Sequence, residues 1–274
     1  MSISRFPQIH AAKSVRHIIP IFVVGTAIGT LGGMIGLGGA EFRLPLLIGL
    51  FGFPGLEAII LNKAMSLVVV VSALPSRATT VPFSAVAEHW AVIMNLLGGS
   101  LIGAWFGAGW ATRMKSEMLY KIIAALLVMI AIVLVFGHNL VGTGQPLLAG
   151  NAQFAAGIVA GFAIGLVASL LGVAGGELLI PTLILLFGVD IKLAGSLSLA
   201  VSLPTMLIGF ARYSRDQSFT VITRNHAFAC MMALGSLCGA FLGAQLLGIV
   251  PSEVLLPSLA LILVVSAAKV WRHA

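Results

Sequence analysis

The chain has 274 residues, of which 59% are apolar and 8% charged. A soluble globular domain carries about 25% charged residues, so a soluble enzyme is excluded: there are too few charges to build a water-facing surface. Mean hydropathy of +1.13 and 32 glycines fit an all-α polytopic membrane protein, where small residues let helices approach closely. The net charge of +7 comes from 15 Lys and Arg residues scattered along the chain. Their spacing reads as topology signals rather than a nucleic-acid footprint, and the expected partner is the lipid bilayer. Cys230 and Cys238 share one apolar run and offer neither a disulfide framework nor metal-ligand spacing. They are expected to be small buried residues, and no cofactor is expected.

In chain order, Arg5, Lys13 and Arg16 precede an apolar run over 18–39. This resembles a signal-peptide start, but the run has no clear small-residue cleavage site and reads as a retained membrane helix. A short run follows at 44–53, then longer runs at 58–75, 91–110 and 118–136. The second half gives 154–174, a short run at 178–187, then 193–211, 227–248 and 254–268. A membrane span needs about 20 residues. The runs at 44–53 and 178–187 are too short and follow Gly-rich breaks, so they read as half-helices or re-entrant segments.

The chain aligns with itself, without a gap, when shifted by 136 positions. Gly25 and Gly29 fall on Gly161 and Gly165. Gly36, Gly39, Glu41 and Pro45 fall on Gly172, Gly175, Glu177 and Pro181. Ser66 falls on Ser202, and Gly99, Gly103 and Gly107 fall on Gly235, Gly239 and Gly243. Shared apolar composition would not hold Gly, Pro, Glu and Ser in one register for so long. The expected organisation is an N-terminal segment 1–17, a first repeat 18–138, an external linker 139–152 and a second repeat 153–274.

The basic connections are the N-terminus, 111–121 (Arg113, Lys115, Lys121), 212–226 (Arg212, Arg215, Arg224) and the C-terminus (Lys269, Arg272). The connection 76–90 has only Arg77, and 137–152 has no basic residue. Placing the rich segments in the cytoplasm threads the chain without contradiction if each half crosses an odd number of times. The halves are then inverted-topology repeats of about five helical segments each, with broken or re-entrant helices at the repeat centre. Three full crossings per half with a re-entrant pair satisfy the same parity. Both termini are expected in the cytoplasm.

The candidate site lies at the two breaks. Gly38 and Gly39 precede Glu41 and Pro45; Gly175 and Gly176 precede Glu177 and Pro181. Glycine permits irregular backbone with exposed N–H groups, and a following helix aims its positive dipole end at the break. Proline suits a first helical turn. These features build an anion site without a buried cation; the plainer reading is a hinge. Gly25/Gly29/Gly33 and Gly99/Gly103/Gly107 read as helix-packing stripes. Glu41 and Glu177 read as proton-coupling carboxylates or as acids capping the short helices. Asn62 and Lys63 stand near the first break, with Lys63 on Leu199 in the repeat register. Lys63 either attracts an anion or snorkels to the interface. Ser66, Ser198 and Ser202 offer hydroxyls to an oxyanion or to their own helix. His89 and His226 sit at helix starts and read as interfacial.

With these motifs in view, the chain resembles the TauE/SafE (TSUP) family of sulfite exporters. The carrying features are the duplicated Gly-rich segments ending in Pro45 and Pro181. The stretch Gly195-Ser-Leu-Ser-Leu-Ala-Val-Ser-Leu-Pro204 and the paired Gly-Ser-x-x-Gly-Ala segments add to them. The first-half helix departs from the family pattern at Leu61-Asn-Lys-Ala-Met-Ser66. The resemblance implies an inner-membrane transporter of sulfite, sulfonates or related organosulfur anions, coupled to protons. Inverted repeats with broken helices imply alternating access. The alternative is an anion channel or a permease for another small organic anion. No HExxH, GxSxG or GxxxxGK[ST] stretch is present, so nothing points to an intramembrane enzyme or an ATP-driven pump.

Overall fold

A computed structural model describes residues 18–34, 39–78, 81–136, 146–246 and 252–273. Every regular element among them is helical. The first half contains α1 (Ile18–Met34), α2 (Ala40–Gly49), α3 (Gly55–Ala78), α4 (Phe83–Glu88), α5 (Trp90–Ala111) and α6 (Ser116–Phe136). The second contains α7 (Gly150–Leu171), α8 (Gly176–Phe187), α9 (Ile191–Tyr213), α10 (Val221–Arg224) with a 3₁₀ turn before it, α11 (His226–Leu246) and α12 (Ser252–Trp271). The starts of α2 and α8, α3 and α9, α5 and α11, and α6 and α12 each stand 136 residues apart. The duplication therefore fixes helix boundaries as well as residue types. The short α4 and α10 carry too few apolar residues to register as runs.

Among the described residues, six helices are long and apolar enough to cross a membrane: those containing Gly55–Ala73, Trp90–Ala111, Ser116–Val133, Gly150–Leu171, Ile191–Tyr213 and His226–Leu246. Their order and composition give an all-α polytopic membrane fold.

The halves are interlocked. α1 packs on α11, and α5 on α7. Along α1, Gly25, Gly29 and Gly33 face the backbone of Met232, Ser236 and Ala240 in turn, so these helices run in the same direction. From the other side, Gly235, Gly239 and Gly243 face α1 backbone from Phe22 to Met34. The α5–α7 contact repeats the scheme: Gly99, Gly103 and Gly107 meet the backbone of Ile158, Phe162 and Leu166. Without side chains in the seam, the backbones touch, which is the packing that small residues confer in lipid. The glycine stripes are thus packing surfaces, as expected.

Other contacts set the ends of the bundle. The Tyr120 hydroxyl accepts from the Gly55 amide at 3.1 Å, and the Tyr120 ring lies 6.2 Å from His273. Tyr120 is near the start of α6 and His273 just past α12, as antiparallel neighbours require. Glu57 at the start of α3 is 3.9 Å from Arg224, and Gly49 lies against Lys269. Three basic connections, 111–121, 212–226 and the described C-terminus, therefore gather at one end. At the other end, the Gln153 amide donates to the Leu186 carbonyl at 2.7 Å, joining the start of α7 to the end of α8.

α2 ends at the basic end and α8 at the opposite one. Their lengths of 10 and 12 residues amount to about 15 and 18 Å, half a hydrocarbon core. Each starts inside the bundle and returns toward the end from which the preceding long helix set out. Both short runs are therefore short helices that start inside the bundle, at Ala40 and Gly176.

Candidate functional site

The starts of α2 and α8 are built alike. Gly39 and Gly175 are their N-caps, with φ of 74° and 81°. This left-handed geometry suits glycine, and at Gly39 a Cβ would also strike the Ile28 carbonyl. Neither cap supplies a side-chain acceptor, so the first amides of each helix lack a capping side chain; in α8 the Leu178 amide donates to the Gly175 carbonyl at 3.1 Å. Glu41 and Glu177 occupy those first turns and are buried, with relative exposures of 1% and 6%. Their carboxyl groups lie within electrostatic reach of one another. Apart from this carboxyl–carboxyl contact, no other side chain donates to Glu41 or to Oε2 of Glu177.

The prolines sit deeper than expected. Pro45 and Pro181 fall at the sixth residue of α2 and α8, not in the first turn. The left-handed glycines start each helix early, which moves the glutamates into the first turn and the prolines into the body. A proline there removes the amide that would bond the carbonyl four residues back, which belongs to Glu41 in α2 and Glu177 in α8. Each tip thus has an uncapped helix start, a carboxyl group and a released carbonyl.

Beside the α2 tip lies Arg43, fully buried at 0% exposure. Its Nε donates to Asn62 Oδ1 at 2.7 Å and its Nη1 to Ser236 Oγ at 3.2 Å. Its Nη2 donates to Ser66 Oγ at 2.7 Å and to the Asn62 carbonyl at 3.3 Å. α2, α3 and α11 are tied by one guanidinium whose direct partners are all neutral. Its nearest negative group is Glu41, with which it interacts electrostatically without forming a close ion pair.

The carbonyl end of α7 is held by α3 and α9. Asn62 Nδ2 donates to the carbonyls of Leu171 and Ala40, each at 3.0 Å. Ser66 Oγ reaches the Gly172 carbonyl at 3.3 Å, Lys63 Nζ the Ala168 carbonyl at 3.4 Å, and Tyr213 Oη the Ser169 carbonyl at 2.9 Å. These donors answer the orphan acceptors of a helix that stops inside the protein. Cations at a helix C-terminus also suit its dipole.

The structure gathers Gly39, Glu41, Asn62 and Ser66 with Arg43, while Gly175, Gly176 and Glu177 form the facing tip. Lys63 is 0% exposed, so it does not snorkel; it reaches the end of α7. Ser198 bonds within its own helix, to the Gly195 carbonyl at 2.8 Å, and Ser202 is buried on the same helix. Gly38 and the Arg77 side chain lie outside the described residues. Arg43, Ser236, Ser169 and Tyr213 received no role from the sequence. Arg43 faces Leu179 in the repeat register, and a charge placed where its mate is leucine was the available signal. Cys230 and Cys238 are exposed rather than buried, because they face away from the α1 seam that the α11 glycines occupy. His89 caps α5 and His226 opens α11, as expected for helix-start residues. Among the described residues no His, Cys, Asp and Glu group has metal-site geometry.

The family described as sulfite exporter TauE/SafE matches residues 21–270. No curated protein and no solved structure matches the chain. The match spans both glycine seams, the tips of α2 and α8 and the Arg43 cluster: this chain belongs to the TauE/SafE family of sulfite exporters, which are membrane transporters.

Proposed function

We propose that the protein is a secondary-active carrier of small sulfur-containing anions such as sulfite or sulfonates, coupled to protons and working by alternating access. The observation that carries this reading is the meeting of Glu41 and Glu177, repeat mates on oppositely running half-helices, inside the bundle. Two carboxyl groups in one low-dielectric spot are suited to exchange a proton, since two adjacent buried charges cost more than one. The uncapped helix starts around Gly39, Gly175 and Gly176 suit an oxyanion, and Arg43 supplies positive charge beside them.

In this reading the anion sits between the tips, flanked by Asn62, Lys63 and Ser66 on α3 and by Ser198 and Ser202 on α9. Gly38 extends the first tip. The halves 18–138 and 153–274 are inverted repeats related by a two-fold axis in the membrane plane. They exchange conformations to open the seat to one side and then the other. The antiparallel course of α6 and α12 and the opposite exits of α2 and α8 support that symmetry. The gathering of basic connections at one end supports a cytoplasmic location for that end and for both termini, in an inner membrane.

The test is flux in proteoliposomes. Sulfite loaded inside should move when a pH gradient is imposed, with saturation, and stop when the gradient is collapsed. Absence of sulfite and sulfonate flux under any imposed gradient would overturn the assignment. Non-saturating flux indifferent to the gradient would replace the carrier with a channel.

A further inference from the structure

At the basic end, the two guanidinium groups of α9 and its exit converge on one indole. The Cζ atoms of Arg212 and Arg215 lie 5.6 and 5.1 Å from the centroid of Trp105 on α5. Gly109, one turn further along α5, makes room for them: a Cβ there would stand 3.2 Å from Arg212 Nε and 3.3 Å from Nη2. Cation–π attraction holds each guanidinium to the ring, but the like charges repel one another. Among the described residues the ion pairs are Lys121–Glu117 and Arg224–Glu57, so neither arginine has a carboxylate. The adjacent Asp216 spends Oδ1 on the Ser218 amide at 2.9 Å. Arg113 and Lys115, both exposed, follow α5 at the same end.

The surface beneath is apolar. Ile102, Phe106 and Trp110, on the neighbouring stripe of α5, are 53%, 62% and 46% exposed. The duplication does not account for the cluster, because the repeat mates of Trp105, Arg212 and Arg215 are Phe241, Ser76 and Thr79. Among the described residues, one end of the protein carries it.

We propose that Trp105, Arg212 and Arg215 bind the phosphodiester of an anionic phospholipid, with its acyl chains lying along Ile102 and Phe106. An anion between the guanidinium groups offsets their repulsion, and the arginine forks match phosphate oxygens. The apolar stripe distinguishes a lipid from free phosphate, which would gain nothing from it. The site is separate from the Glu41–Glu177 centre and does not depend on the transport reading.

The experiment is native mass spectrometry and thermal unfolding of the purified protein in neutral detergent, with phosphatidylglycerol, phosphatidylcholine or inorganic phosphate added. The wild-type chain should retain phosphatidylglycerol over phosphatidylcholine and be stabilised by it, while inorganic phosphate does neither. Arg212→Gln and Arg215→Gln should each reduce that preference by about fivefold, the scale on which a surface cation favours anionic lipid. Lys192→Gln, at the opposite end, should leave it unchanged. A wild-type chain without headgroup preference would overturn the site, whatever the folding of the variants. So would a wild-type preference retained in well-folded Arg212→Gln/Arg215→Gln protein, or equal stabilisation by inorganic phosphate.

Discussion

Replacing Arg43 by methionine keeps most of the side-chain volume and removes five donors. Asn62 Oδ1 and Ser236 Oγ lose the guanidinium that satisfies them, and Glu41 loses its nearest cation. The Asn62 carbonyl keeps its bond from Ser66 at 2.7 Å, so two polar atoms are orphaned rather than four. At about 1–3 kcal/mol for each buried group left unpaired, Arg43→Met should destabilise the protein by about 2–6 kcal/mol. The lower bound corresponds to a fall of about 4–8 °C in Tm on the scale of chains this size. Thermal unfolding in detergent measures this directly. The sharper readout is a double-mutant cycle with Asn62→Leu. Because removing both partners leaves less unpaired than removing one, the double variant should fall short of additivity by about 0.5–3 kcal/mol. Strict additivity, or a Tm within 1 °C of wild type for Arg43→Met, would refute the claim that this guanidinium joins three helices.

Glu177→Gln should leave the fold and Tm unchanged while abolishing flux driven by a pH gradient; a retained pH dependence would remove this carboxyl from coupling. Gly175→Leu should block transport, since φ of 81° disfavours a side chain and a Cβ there would press within 3.2 Å of Ile164 Cγ2. Sulfite flux at wild-type levels would contradict that. Gly29→Leu should force α1 off α11 and destabilise the protein by about 1–3 kcal/mol or more, seen as loss of monodisperse protein on size exclusion. The matching Gly98→Leu change, at a position with nothing within 4 Å of an added Cβ, should be tolerated.

The sequence carried the skeleton of the fold because the repeat wrote it twice. The starts of α2 and α8 follow from Gly39/Gly175 and Glu41/Glu177 standing in one register, and the glycine stripes foretold which faces would touch. What escaped were features that the repeat does not duplicate or that residue order does not encode. Arg43 has a leucine for a mate, so no symmetry argument drew it into the site. For Lys63 the choice between attracting an anion and snorkelling stayed open because snorkelling depends on depth, which spacing alone does not give. The prolines were placed in the first turn because a left-handed glycine cap, which starts the helix early, is a backbone property invisible in residue order. The exposed cysteines show the same limit: which face of α11 meets α1 depends on a partner as distant in sequence as Gly25 is from Met232.

The exchange of partners between the halves dictates an order of assembly. α1 is translated well before α11, yet the groove it fits is lined by Gly235, Gly239 and Gly243 of that later helix. Until α11 is made, the α1–α2 hairpin has no glycine seam to close against, and its carboxyl-bearing tip has no permanent shelter. The first half therefore cannot mature alone: α1 waits in the bilayer until α11 has been translated.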